Sequence, residues 1–164
     1  MLILVDTREQ RPYDFLSQAG DIETAKATLP LGDYSLEGFT HKVALERKSL
    51  PDLVMCLGVE RERFAREMLK ASALESFAVV IEATWQQLLD GKYRSNLNPA
   101  SAVASIQAFM SRYRVPFFFT GTRENGEAFV AGYLRQYIRG KRHEYDAIIK
   151  AINNGKAKAQ RQAS

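Results

Sequence analysis

The sequence predicts an α/β fold with a central mixed β-sheet flanked by helices. Three observations point to it. Short apolar runs, LILV at 2–5, FAVVI at 77–81 and PFFF at 116–119, have the length and composition of buried strands. Between them lie longer segments with apolar residues at helical spacing. The elements come as strands first, then helix, strand, helix, strand and helix, an order that builds layers around one sheet. With 164 residues, 46% of them hydrophobic, the chain can bury one core, and two would be cramped.

Leu2 to Val5 reads as a strand that stops abruptly at Asp6. Arg8 to Gly20, with its Arg-Pro step, reads as loop with one helical turn. Thr24 to Leu29 is extended and is punctuated by Pro30 and Gly32. Asp33–Leu36 and His41–Lys48 are strands joined by a hairpin connection at Glu37-Gly38-Phe39-Thr40. Leu53 to Leu74 reads as one long helix with a weak point at Gly58. Leu53, Leu57, Phe64 and Met68 form its buried face, and Glu60, Arg61, Glu62, Arg63, Arg66 and Glu67 crowd the other. Phe77 to Glu82 is a buried strand, and Trp85–Leu89 a helical turn.

Asn98 and Pro99 suit the N-cap and first position of a helix to Tyr113. Pro116 to Thr120 is a strand whose three phenylalanines belong in the core, and the methionines fit core positions too. Ala128 to Ile138 is a helix ended by Gly140, and His143 to Ile152 a further one. Gly155 to Ser164 has almost no apolar mass and is expected to lack regular structure.

Composition excludes several classes. No apolar run approaches the roughly 18 residues that span a bilayer. The start lacks the basic segment of a secretory signal. The single cysteine, Cys56, cannot form an internal disulfide or a multi-cysteine zinc site, and reads as an inert buried thiol. Two histidines, His41 and His143, leave little for imidazole chemistry. An intracellular, reduced setting is expected. The net charge of +4 is uneven: residues 1–134 carry 15 Lys/Arg against 17 Asp/Glu, and residues 135–164 carry 8 against 2. A basic end suits a polyanionic partner, although solvated tails are often basic too.

The chemistry concentrates between Gly32 and Asp52. Glu46 and Lys48, two apart on a strand, project from one face, and Arg47 points the other way. A hairpin brings Asp33 beside Glu46. Two carboxylates and an ammonium at one sheet edge suit Mg²⁺, which takes one or two carboxylates and keeps water. The Arg47 carbonyl could be a further ligand, and Lys48 would stabilise charge on a phosphate oxygen. Asp6, at the end of the first strand, could join, with Arg8 and Glu9 beside it and Asp52 at a helix start. Singly these residues have ordinary readings: a turn at Gly32-Asp33, a solvated strand pair at Glu46 and Lys48, an N-cap at Asp52. A polar set interrupting apolar segments is costly unless it is used. Trp85, Tyr93, Arg94, Tyr113 and Arg114 are candidates for stacking on unpaired bases, against the commoner reading as packing residues.

V-D-T-R-E at 5–9, G-D-Y at 32–34 and L-E-R-K-S-L-P-D-L at 45–53 resemble the XPF-type nuclease domain, whose signature is G-D, E-R-K and an Asp four residues after the Lys. R-E-R-F at 61–64 and V-V-I-E at 79–82 resemble its next helix and strand, and the likeness runs from about Leu2 to Gly140. The resemblance implies a restriction-endonuclease-like fold and Mg²⁺- or Mn²⁺-dependent cleavage of branched DNA such as flaps and forks. It implies metal ligation by Asp6, Asp33 and Glu46, charge stabilisation by Lys48, and supporting or DNA-contacting roles for Arg8, Glu9, Arg47, Asp52 and Arg63. It also implies a homodimer through the segments around Ser101–Tyr113 and Phe129–Ile138.

On this reading residues 1–140 are the nuclease domain and 141–164 a basic C-terminal helix and tail. On the same reading no helicase region is expected before the domain, and no tandem helix-hairpin-helix module is expected in the 24 residues after Gly140. A partner protein that binds DNA, or the basic end, would replace that module. A compact form suggests a prokaryotic or phage-encoded protein of the cytoplasm, acting in repair, recombination or phage DNA processing. The alternatives are a non-catalytic DNA-binding or scaffold subunit of the same fold and a junction-resolving nuclease. Inactive partners tend to lose the G-D and E-R-K residues, which this chain keeps.

Overall fold

The apolar runs assemble where their side chains can be buried on both faces at once. A computed structural model of the chain describes residues 1–18, 20 and 22–162. Six strands form one sheet: β1 (Leu2–Asp6), β2 (Glu23–Ala27), β3 (Tyr34–Leu36), β4 (Val43–Lys48), β5 (Ser76–Ile81) and β6 (Phe117–Phe119), in the order β2-β1-β3-β4-β5-β6. β3 runs antiparallel to both β1 and β4, while the β1–β2, β4–β5 and β5–β6 pairs are parallel. The sheet is therefore mixed, and β1, β4 and β5 all end at the same edge.

Strand alternation divides the core in two. On one face Ala44, Val79 and Ile81 pack under α1 (Leu50–Leu57), α2 (Arg61–Ala71), α3 (Trp85–Leu89) and α4 (Pro99–Tyr113), through Leu53, Leu57, Phe64, Met68, Leu88 and Ile106. On the other, Ile3, Val5, Tyr34, Val43, Leu45 and Val80 meet Val130, Ala131 and Leu134 of α5 (Arg123–Gln162). Each of the larger aliphatic and phenylalanine side chains among these, fully buried, contributes about 1.5–3 kcal/mol.

Several expectations change. The long helix is two, because α1 ends at Gly58 and the chain restarts at Arg61. The break lets Leu53 and Leu57 pack on the sheet independently of Phe64 and Met68. The reverse holds at Gly140, where α5 runs on as one helix to Gln162. It therefore crosses most of the segment expected to be irregular; Ala163 and Ser164 lie outside the described residues. In α5 the apolar spacing continues past the sheet, and Tyr145, Ile148, Ile149 and Ile152 are exposed. Of the three phenylalanines only Phe117 is buried, since β6 is an edge strand. Met55 and Met110 are exposed rather than core. Among the described residues no helix is long and apolar enough to cross a membrane.

Candidate active site

Ligand sites in open α/β sheets lie beyond the carboxyl ends of the strands. At that edge here stand Asp6 on β1, Glu46 and Lys48 on β4, and Asp33 just before β3. Gly32 is the reason Asp33 fits. It adopts φ +75°, and an added Cβ would lie 2.9 Å from the Leu45 carbonyl oxygen, a place only glycine takes without strain. The main chain then pins Asp33. Its amide donates to Leu45 O at 2.8 Å, its carbonyl accepts from Asp6 N at 2.8 Å, and its Oδ2 accepts from Arg47 N at 2.7 Å.

The period of two holds on β4. Glu46 and Lys48 share a face and pair at 2.5 Å, their side chains 15% and 14% exposed. Asp33, Glu46, Asp6 and Arg8 line one cleft of about 310 Å³ with Arg63, Glu67 and Lys70 of α2. A second cleft of about 270 Å³ lies across Asp33 and Arg8, lined also by Arg11, Lys48 and Asp52. Burial and the neighbouring Glu46 charge push the Asp33 carboxyl up to about 8. Burial lowers the Lys48 ammonium, and Glu46 more than offsets this, leaving it above the usual lysine value.

Asp6 is buried and already partnered. Its Oδ1 accepts from the Arg8 amide and Nε at 2.8 and 2.6 Å, and its Oδ2 from the Leu29 amide at 2.7 Å. Burial raises this carboxyl, but those donors outweigh it and hold it below the ordinary value. Asp52 does not cap its helix; Ser49 does. Asp52 is the third helical residue, and the Ser49 hydroxyl donates to its Oδ2 at 2.6 Å. Arg63 pairs with Glu60 and with Glu67 while facing the acid cleft. Arg47 turns to the opposite face of β4, where Glu9 and Glu82 hold its buried guanidinium.

Sequence reasoning passed over Glu82, Arg123, Glu67 and Lys70. Glu82 carried a usable signal, since it ends an apolar strand as Asp6 does. Arg123 had no local signal, because its partner Glu82 is 41 residues away. Among the described residues no three His, Cys, Asp or Glu side chains are grouped closely enough to hold a metal ion. The donors that remain, Asp33 and Glu46, fit a cation satisfied with two carboxylates and water.

The profile of the ERCC4 domain matches residues 5–132. The chain belongs to the ERCC4 domain family. This ERCC4 domain has the restriction-endonuclease-like α/β fold of XPF from Aeropyrum pernix, with a TM-score of 0.67 and 19% identity. That match covers 84% of this chain and 61% of the archaeal one. XPF from Aeropyrum pernix in complex with DNA matches with a TM-score of 0.65 and 20% identity, over 85% of this chain and 66% of the other. The chain thus spans under two thirds of these relatives. No curated protein matches it by sequence.

Proposed function

We propose that this ERCC4 domain is a divalent-cation-dependent endonuclease that hydrolyses phosphodiester bonds in branched DNA, such as flaps and forks. One observation carries the reading: Asp33 and Glu46 converge with Lys48 on one face of the sheet edge, beside a cleft that cationic side chains of α2 also enter. The family and the DNA complex of a relative with the same fold support it.

Asp33 and Glu46 are the proposed ligands of Mg²⁺ or Mn²⁺. Asp6 is the proposed third ligand at this edge, and the Arg8 guanidinium that pairs with it would turn to a phosphate when it joins. Such an ion supplies Lewis acidity toward the phosphate oxygens and toward the attacking water. Lys48, paired with Glu46 in the cation-free protein, would be the group that stabilises the charge developing on a phosphate oxygen. Arg8, with a side chain 68% exposed, and Arg63 and Lys70 on α2 are placed to hold the flanking backbone. Water forms the new P–O bond, the P–O3′ bond breaks, and the products are a 5′-phosphate and a 3′-hydroxyl. The proposal extends to a homodimer through α4 and α5; on the α5 side, Phe129, Gly132, Tyr133 and Tyr137 line an apolar groove of about 390 Å³.

The test is a labelled panel of flap, fork, splayed arm, four-way junction and plain duplex, with Mg²⁺, Mn²⁺ or chelator. Branched substrates are cut only with cation. Asp33→Ala and Glu46→Ala abolish cleavage and keep DNA binding. Binding without cleavage by the wild type under all cations would replace this reading with a scaffold subunit.

A further inference from the structure

The Arg47 side chain is 8% exposed, and its guanidinium is gripped from two sides. Glu9 accepts from its Nε and Nη2 at 3.1 and 3.2 Å, and Glu82 accepts from its Nη1 at 3.0 Å. The other Glu82 oxygen accepts from Arg123 Nη1 at 3.2 Å. Arg123, the first residue of α5, goes further: its Nη2 donates to the Arg11 and Pro12 carbonyls at 2.9 and 2.7 Å, and its guanidinium lies 4.7 Å from the centre of the Tyr13 ring. The Arg11 amide closes the circuit on Glu9 Oε1 at 2.6 Å. Two acids and two bases balance, so the network adds no net charge beside the acid cleft.

Ion pairs this buried are a poor source of net stability, because desolvation offsets much of the attraction, whereas removing one member is costly. What the network does locally is fix position. Arg47 holds Asp33 by its backbone amide, and the loop from Thr7 to Tyr13 carries Arg8, the partner of Asp6. Arg123 stands behind both arms: through Glu82 and Arg47 it reaches Asp33, and through the Arg11 and Pro12 carbonyls it reaches the loop. We propose that Glu82 and Arg123 are positioning residues of the nuclease site, a clamp from the last helix that sets Asp33 and Arg8 without touching substrate. This rests on the nuclease reading above.

The test uses the full chain and two kinds of readout. In cation-free protein, the Arg47 amide is followed by NMR chemical shift and hydrogen exchange. In Glu82→Gln, an isosteric change, and in Arg123→Ala, this amide moves upfield and exchanges faster, while amides in β5 and β6 stay put. With cation and a branched substrate, kcat falls by about 10-fold, the low end of the cost of losing an outer partner of a ligating group because these residues act on Asp33 through Arg47, with little change in KM. Arg123→Lys recovers part of both effects. If Arg123→Ala fails to fold, Glu82→Gln and Arg123→Lys carry the test. An Arg47 amide unmoved in the folded variants overturns the clamp, and so does loss of kcat matched by loss of DNA affinity. A wild type that never cleaves while its Arg47 amide responds to Glu82→Gln overturns the nuclease reading and leaves the clamp standing.

Discussion

Lys48 Nζ lies 2.5 Å from Glu46 Oε1, so in the cation-free protein the ammonium is the counter-charge of the acid pair. Lys48→Met keeps the aliphatic stem and removes that charge. Glu46, largely buried beside the Asp33 carboxyl, then loses the cation paired with it. Stability in chelator is expected to fall by about 3 kcal/mol, the low end of the cost of orphaning one member of a buried pair. Mg²⁺ restores part of the loss, because a ligand of the folded state stabilises it by mass action. Urea titrations with and without Mg²⁺ measure both. A variant as stable as the wild type in chelator would contradict this role for Lys48. Cleavage slows as well, since the ammonium also faces the scissile phosphate in the proposed mechanism.

Asp33 is expected to make stability fall as pH rises. Its carboxyl moves from an ordinary value of 3.8 to about 8, through burial first and the Glu46 charge second. Between those values the folded chain holds more protons than the unfolded one, so raising pH favours unfolding. The contribution is complete below about pH 4 and is lost as pH passes through 8. Asp33→Asn removes the charge and keeps an oxygen to accept from the Arg47 amide. In chelator it should be the more stable protein at pH 8, by on the order of a few kcal/mol, and equal to wild type near pH 4. Urea midpoints across that range decide it. A wild-type midpoint flat from pH 5 to pH 8 would remove the argument.

The acid edge was legible because two local rules sufficed to place it. Alternation along residues 43–48 assigned Glu46 and Lys48 to one face and Arg47 to the other, and the hairpin supplied Asp33. The signals for helix ends were less decisive. Gly58 and Gly140 look alike in the sequence, yet one separates two helices and the other lies within one. Gly58 leaves the helical conformation, at φ −105° and ψ −102°, while Gly140 stays helical, and a window of neighbouring residues does not tell the two apart. Ser49 displaced Asp52 as the cap because the helix starts at Leu50, one residue before Pro51. Arg123 was illegible for another reason, since both its partners are brought to it only by the fold.

Cys56 should behave as a buried thiol despite its neighbours. Burial pushes it up to about 11, and the nearby Lys48 and Arg63 charges only partly oppose that. Its side chain is 2% exposed. Alkylation by iodoacetamide at pH 8 is therefore expected to be slow in the folded protein and complete in urea, as followed by mass spectrometry. Fast modification of the native chain would mean that the packing around α1 opens readily.

Gly126 and Gly140 lie in the same helix and predict opposite signs. A Cβ on Gly126 would stand 2.4 Å from Tyr13 Oη. That ring cannot yield, because it stacks on Tyr34 at 5.1 Å and is 2% exposed. Gly126→Ala should cost about 1–3 kcal/mol, as other overpacked core positions do. A Cβ on Gly140 meets nothing within 4 Å, and its backbone is helical with no positive φ. Alanine there relieves the entropy of fixing a glycine, so Gly140→Ala should stabilise by about 0.5–1 kcal/mol. The sign at Gly140 separates two structures of the C-terminal end. Were Gly140 the left-handed stop of a helix ending at Ile138, alanine would be strained there and would destabilise. Urea unfolding of the two variants side by side reads both signs, and a Gly140→Ala protein weaker than wild type would break α5 in two.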